Sequence, residues 1–221
     1  HGSDAVRYWA ASARLGTDAA FDTGQMKIGR RLAIKILNAA KFALSFEVPA
    51  GHTEVTEAVD QAMLLALADV VRDATAAFEN YDHTKALELS EKFFWNFTDD
   101  YLELVKERAY GQGGASTATQ ASAALALRKA LHVMLRLFAP FLPYATEEVW
   151  GWWQKDAGSI HRSTWPTAGE LTVGLDASNH GLMELASVAL FGLRKAKSDA
   201  KASMKAEVVS ATLQAPAAVL T

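Results

Sequence analysis

The sequence predicts a mainly α-helical protein: an antiparallel helical bundle followed by a small, incomplete α+β C-terminal subdomain. Three observations predict this class. Most of the 221 residues fall into long segments whose apolar side chains recur with the 3.6-residue period of a helix. The turns between these segments are short, which favours antiparallel neighbours. Only two short stretches near the C-terminus, 159–161 and 207–213, alternate like strands.

Local signals place the ends of the predicted helices. Ser3 is the expected N-cap of the first helix. The second helix stops before Pro49, because a residue that precedes proline disfavours the helical conformation. A glycine-rich loop at 111–114 ends the fourth helix, and Pro143 suits the first position of the sixth. The predicted helices are 3–13, 24–46, 54–80, 82–109, 117–138, 143–154 and 182–204.

These elements divide the chain into three parts. Residues 1–23 form a junction, residues 24–155 form the bundle, and residues 156–221 form the partial α+β subdomain. Half of the residues are hydrophobic and 21% are charged, as in ordinary globular proteins. The length is sufficient to bury a substantial core.

Composition excludes several classes of protein. The chain has no cysteine, which excludes a disulfide scaffold, a thiolate metal site and a cysteine nucleophile. The 6 histidines are too scattered to form a metal site. No apolar run approaches the roughly 18 residues of a membrane span, and the N-terminus does not resemble a signal peptide. We therefore expect a cytoplasmic protein that has no membrane partner.

We find no residue pattern that indicates a catalytic centre. Glycine-rich phosphate loops, His-x-x-x-His pairs and Ser/His/Asp arrangements are absent from the sequence. Asp99, Asp100 and Glu103 could act as paired acid/base carboxylates, but we interpret them as a solvated helix face. Similarly, we interpret His132 as a core residue. We predict no catalytic residue and no metal ligand.

The charge is distributed unevenly along the chain. Residues 1–45 carry a net charge of +4, whereas residues 46–107 carry −10 and residues 108–155 carry +3. An anionic ligand would therefore meet the first helices, and the acidic stretch argues against DNA as a partner.

The second predicted helix carries the clearest functional signal. At 100° per residue, its cations and one aromatic ring fall within an arc of roughly 140°, while the opposite side is apolar or small. Phosphates can pair with such cations while an unstacked base lies on the ring. The alternative is a solvated basic face whose phenylalanine packs under a neighbouring helix. The face consists of Lys27, Arg30, Arg31, Ile34, Lys35, Asn38, Lys41 and Phe42.

Several motifs, in order, resemble class I aminoacyl-tRNA synthetases. Residues 2–8 resemble the segment after their KMSKS loop, and residues 16–22 resemble the junction into their anticodon-binding domain. Residues 29–42 resemble the first bundle helix of the valyl-tRNA synthetases in particular. Four further stretches resemble the later bundle helices of that family and the segment beyond them: residues 97–103, 140–150, 160–166 and 194–197.

The resemblance implies a fragment that docks tRNA(Val), mainly through its anticodon loop. The catalytic domain, with its HIGH and KMSKS motifs, and the editing domain of the same parent chain would precede His1, and a coiled-coil arm would follow Thr221. The parent would use ATP and Mg²⁺ to activate valine and transfer it to tRNA; this fragment would be inactive alone and would hold no cofactor. The family's platform for anticodon bases has an aromatic residue where Phe42 stands and an aliphatic one where Leu102 stands.

Two positions depart from the family pattern. A basic residue near the start of the first bundle helix is replaced by Gly24 or Gln25, and a tryptophan is replaced by Asp100. The competing interpretations are the same domain of an isoleucyl- or leucyl-tRNA synthetase, a protein–protein scaffold bundle, and an all-helical enzyme with a carboxylate site around Asp99 and Glu103. Our interpretation assigns RNA contacts to Lys27, Arg30, Arg31, Lys35, Asn38, Lys41, Phe42 and Leu102.

Overall fold

A computed structural model of the chain describes residues 1–212 and 214, and within this part no β-strand occurs. The α-helices are α1 (Ser3–Ala11), α2 (Thr23–Leu44), α3 (Ala58–Glu79), α4 (His83–Asn96), α5 (Leu102–Ala109), α6 (Thr117–Phe138), α7 (Pro143–Trp153), α8 (Gly169–Thr172) and α9 (Leu182–Asp199). The predicted helical bundle is confirmed. Its core consists of buried aliphatic and aromatic side chains from α2 to α7, among them Leu32, Leu64, Leu127 and Phe138.

The fourth predicted helix is divided by a π-helical segment, Phe97–Tyr101, between α4 and α5. The wider π turn interrupts the 3.6-residue register, and its residues Phe97, Thr98 and Tyr101 are all buried. The prediction of one uninterrupted helix over 82–109 is therefore wrong. The sequence could not show the insertion, because the helical pattern resumes on its far side.

The two predicted strands are not formed. Ile160–Arg162 is a single 3₁₀ turn, capped by the Ser159 side chain. Residues 207–212 adopt neither helix nor strand, and Leu213 lies outside the described residues. Alternation over so few residues is a weak signal, because a strand also needs a partner strand.

Smaller corrections concern helix ends. Ser3 is the first helical residue, and the N-cap of α1 is Gly2, which contributes no side-chain bond. The start of α3 lies at residue 58 rather than 54, because the backbone N–H groups of Thr56 and Glu57 donate to Ser122 Oγ instead of entering the helix. The last helix ends at Asp199.

Hydrogen bonds between polar side chains hold the segment after α7 against the bundle. Trp165 Nε1 donates to Thr75 Oγ1 of α3 at 2.9 Å. Arg136 of α6 is almost fully buried and donates to both carboxylate oxygens of Glu170, at 3.3 and 2.5 Å. The division of the chain at residues 23 and 155 stays a prediction. No helix within the described residues is long and apolar enough to cross a membrane.

His132 is half-buried at the edge of the core, so the interpretation as a core residue is only partly correct. Its ring stacks on Trp150 at a centroid distance of 5.0 Å, and its Nδ1 lies 3.1 Å from Arg136 Nη2. Burial, and then the positive charge of Arg136, lower the pKa of His132 below its usual 6.5, although Glu170 acts in the opposite direction. The imidazole is therefore neutral in the folded protein and accepts a hydrogen bond from Arg136.

We expect His132 to make the folded protein less stable in mild acid. Because the unfolded histidine binds a proton more readily, its contribution to stability is complete above about pH 6.5 and declines as the pH falls below that value. Urea unfolding at pH 7.5 and 5.5 should show a smaller loss of stability for His132→Asn than for the unchanged chain. An equal loss in both proteins would contradict this assignment.

Candidate nucleic-acid interface

Helix α2 begins at a side-chain cap provided by Asp22. Asp22 Oδ1 accepts from the backbone N–H of Gly24 at 2.7 Å and of Gln25 at 3.3 Å. A Cβ at position 24 would lie 2.9 Å from the same Asp22 oxygen, so this position suits glycine. Position 24 therefore carries a glycine that fits the tight helix cap, instead of a basic residue.

The apolar side of α2 packs into the bundle, while its basic side faces outward as predicted. Leu32, Ile36 and Ala40 are buried. The exposed members of the predicted set are Lys27, Arg30, Arg31, Asn38 and Lys41, and the half-buried members are Lys35, Phe42 and Leu102. We call the outward side of α2 from Lys27 to Phe42 the α2 face. It extends about 22 Å along the helix axis.

The structure brings four of the predicted residues together in one cleft. Lys35, Asn38 and Phe42 of α2 form one wall, and Leu102 of α5 stands on the other. The cleft has a volume of about 270 Å³, and Thr98, Glu103 and Lys106 also line it. We call it the α2–α5 cleft. Its apolar floor and polar walls suit a flat, partly polar group such as a nucleobase.

Phe42 is held by two other aromatic rings. Its ring packs edge to face against Phe46 and Tyr110, with distances between ring centroids of 4.9 and 6.1 Å. The rings of Phe46 and Tyr110 also pack edge to face, with their centroids 5.0 Å apart. The alternative interpretation of this face is correct in part, because the Phe42 ring is half-buried and packs against the core. This packing also fixes the ring, which lowers the entropy cost of stacking a base on it.

The cations of the α2 face contact neighbouring residues in two groups, one on each side of the face. The Arg31 guanidinium and the Lys35 ammonium lie over the Trp95 ring, at 5.6 and 5.9 Å. Lys41 lies over Trp152 of α7 at 5.9 Å. Arg30 lines a separate depression of about 380 Å³ that includes Tyr144 and Glu148. The structure therefore groups the predicted residues along one helix face but places only four of them in the cleft.

The acidic residues beside the cleft are engaged in ion pairs. Asp99 Oδ1 accepts from Lys35 Nζ at 3.3 Å. Arg194 of α9 donates to Asp100 Oδ1 at 2.5 Å and to the backbone oxygen of Asp99 at 2.6 Å. The interpretation of these carboxylates as a solvated face is therefore wrong for Asp100, whose side chain is only 14% exposed. Its charge is partly neutralised by Arg194 rather than directed at the α2 face.

A buried ionic network beneath the π segment was missed in the sequence. Asp60 of α3 is fully buried and accepts from Arg108 Nη1 and Nη2 at 2.8 and 2.6 Å. It also accepts from Tyr101 Oη at 2.8 Å and from Ser122 Oγ at 2.7 Å. Asp60 thereby ties the π segment and α5, which carry Leu102, to α3 and α6.

The network also determines the charge states of its members. Burial, together with the Asp60 charge and hydrogen bond, raises the pKa of Tyr101 well above 10, so the phenol stays protonated. Burial alone would lower the pKa of Arg108, but the Asp60 carboxylate raises it, so the guanidinium stays charged. The signal in the sequence was an aspartate among the apolar residues at the start of α3, because a buried carboxylate requires a partner.

Comparisons with known proteins found matches that cover most or all of the chain. The family model described as the anticodon-binding domain of tRNA ligase matches residues 60–213. The valine–tRNA ligase of Salinispora arenicola is 55% identical over 100% of this chain and 27% of its own length. That of Leifsonia xyli is 57% identical over 98% of this chain and 25% of its own length. That of Thermobifida fusca is 57% identical over 96% and 24%.

The chain therefore spans about a quarter of the length of these curated relatives. A solved complex of an Agrobacterium radiobacter leucyl-tRNA synthetase with tRNA is 18% identical, with a TM-score of 0.49, over 89% of this chain and 26% of that one. Within the described residues, no cluster of three or more histidine, aspartate or glutamate side chains is arranged to hold a metal ion. On the strength of the family match, the chain belongs to the anticodon-binding domains of tRNA ligases.

Proposed function

We propose that this chain binds the anticodon loop of tRNA(Val) on the α2 face and so positions the tRNA for a valine–tRNA ligase. The observation that carries the proposal is the α2–α5 cleft, where a cation, an amide and two apolar side chains meet in a space of about 270 Å³. The family match and the valine–tRNA ligase relatives support tRNA as the ligand. Such a partner places the protein in the cytoplasm.

The chemistry of each side chain determines which part of the RNA it contacts. The cations of the α2 face contact phosphates; they are Lys27, Arg30, Arg31, Lys35 and Lys41. Asn38 lies between them and can both donate to and accept from a base edge or sugar hydroxyl. Phe42 and Leu102 form an apolar shelf on which an unpaired base lies.

The target is the single-stranded loop rather than a helical stem. In A-form RNA the base edges lie in a deep, narrow groove that side chains cannot enter, whereas loop bases can be splayed out and stacked on aromatic rings. The cleft is small and the cations spread about 22 Å along one helix, which suits a short unpaired segment with its flanking phosphates.

The chemical reaction belongs to the remainder of the proposed parent enzyme. Valine activation by ATP and Mg²⁺, and transfer to the tRNA, need a catalytic domain that this chain does not supply. We propose that the chain acts together with catalytic and editing domains of one parent chain. Its own contribution is to hold one end of the tRNA in place.

Binding of a tRNA(Val) anticodon stem-loop across a series of salt concentrations tests this function. We expect Lys35→Ala to reduce the slope of log affinity against log salt by about 0.7, the contribution of one phosphate contact with a single strand. RNA must displace Asp99 from Lys35, so the loss of absolute affinity is smaller than for an unpaired lysine.

Lys85→Ala provides the matched control. Lys85 is likewise a lysine in a surface ion pair, with Glu88 of α4 at 3.9 Å, but it is exposed and lies outside the α2 face. Its replacement should leave the slope unchanged. Binding that is insensitive to salt and to the identity of the RNA would favour a protein–protein scaffold instead.

A further inference from the structure

The α2–α5 cleft has a second wall that carries its own candidate RNA-binding residues. Leu102, Lys106 and Tyr110 follow one another at intervals of four residues, so they lie on one side of α5. Leu102 and Lys106 line the cleft, and Tyr110, just beyond α5, contacts Phe42 at its end. This stripe therefore runs beside the part of α2 that carries Lys35, Asn38 and Phe42.

Tyr110 differs from its aromatic neighbours in exposure. Phe46 is 8% exposed and belongs to the core, whereas Tyr110 is 54% exposed. The ring is followed by the exposed residues 111–114, three of which are glycines that bring no side chain over it. Because Phe42 and Phe46 support the ring from the protein side, its remaining surface is presented to solvent in a fixed orientation.

The charges around this wall favour an anionic partner. Lys106 and Lys35 line the same cleft from opposite helices. Arg128 of α6 donates to the backbone oxygen of Phe46 at 2.9 Å, which brings a guanidinium close to the aromatic cluster. Glu103 lies in the cleft as well, but Lys106 Nζ is 3.6 Å from its carboxylate. Exposed pairs of this kind are weak, so a phosphate can compete for the lysine.

We propose that Lys106 and Tyr110 form a second RNA-binding wall, in which Tyr110 stacks on an unpaired base next to the one held between Phe42 and Leu102. Lys106 pairs with the phosphate near these bases. The inference rests on the proposed function and extends it: the ligand must present at least two consecutive unpaired bases. A ligand with a single splayed base would use the cleft alone.

Fluorescence anisotropy with a labelled tRNA(Val) anticodon stem-loop tests the proposal. Tyr110→Leu keeps an apolar side chain against Phe42 but removes the aromatic surface, and we expect it to weaken binding about 5- to 150-fold. Tyr110→Phe keeps the ring and should bind within about twofold of the unchanged chain. Tyr81→Leu, at an aromatic residue that is 83% exposed in the turn after α3, is the control.

A second measurement separates stacking from an indirect effect on Phe42. The same stem-loop is prepared with an abasic nucleotide at each loop position in turn. If Tyr110 stacks on one base, removal of that base and Tyr110→Leu should together cost no more than either change alone. If every abasic position adds to the effect of Tyr110→Leu, the stacking assignment is overturned.

The outcomes also distinguish this inference from the function on which it rests. Normal binding by Tyr110→Leu, together with a loss for Phe42→Leu, would overturn the second wall and leave the proposed function standing. Normal binding by both variants would overturn both. Lys106→Ala should reduce the salt slope by about 0.7, and an unchanged slope would remove Lys106 from the wall.

Discussion

Replacing Asp60 with alanine should destabilise the protein by about 3–5 kcal/mol, the cost of leaving one partner of a buried ion pair uncompensated. Asp60 is fully buried and accepts four hydrogen bonds, from Arg108, Tyr101 and Ser122. Its loss leaves the Arg108 charge beneath the π segment with no counter-charge in that network. For a chain of this length, each kcal/mol lowers the melting temperature by roughly 2–4 °C.

Chemical denaturation of the unchanged chain and four variants, Asp60→Ala, Arg108→Ala, the double variant and Glu79→Ala, measures this effect. Glu79→Ala, an exposed carboxylate in the last turn of the same helix, should change stability by no more than about 0.5 kcal/mol. The double variant Asp60→Ala/Arg108→Ala should lose less than the sum of the two single changes, because the pair acts as a unit. A loss below about 1 kcal/mol for Asp60→Ala would contradict the network.

Replacing Phe42 should have the largest effect on RNA binding. A base stacked on an aromatic side chain contributes roughly 1–3 kcal/mol, which corresponds to about 5- to 150-fold in affinity. Phe42→Ala would also leave a gap beside Phe46 and Tyr110, so we expect it to destabilise the fold as well. Phe42→Leu keeps more of the packing and removes the ring, which makes it the better test.

Phe21→Leu is the matched control for Phe42→Leu. Phe21 is 74% exposed and lies just before α2, about 30 Å along the helix axis from Phe42. We expect normal binding of the anticodon stem-loop by this control and a clear loss for Phe42→Leu. Equal affinities for both variants, with both folded, would remove Phe42 from the interface.

The sequence was sufficient to locate the basic face, because a surface helix needs only its own period to separate two sides. It did not reveal the buried partners of Asp60, since Arg108 and Ser122 lie 48 and 62 residues away and no local pattern connects them. The π segment was missed for a related reason: one wide turn between two regular helices leaves their compositions unchanged. Both features position Leu102, which the family resemblance alone had singled out.

Tyr110 and Lys106 show the same limit for the candidate site. In the sequence they belong to the end of a charged helix, and nothing in their spacing indicates contact with α2. Only the packing of α5 beside α2 brings the ring centroids of Tyr110 and Phe42 to 6.1 Å from each other and places Lys106 in the cleft. The sequence analysis identified Lys35, Asn38, Phe42 and Leu102, whereas only the fold showed that Lys106 and Tyr110 lie beside them.

Titration of the chain with tRNA(Val), and with a copy altered only in the anticodon, tests the central claim most directly. If the α2–α5 cleft contacts anticodon bases, the altered tRNA should bind about tenfold more weakly at moderate salt, equivalent to about 1.4 kcal/mol. Both affinities should fall as salt increases, because phosphate contacts contribute to each complex. Equal affinity for the two tRNAs at every salt concentration would contradict anticodon recognition and leave only an electrostatic docking surface.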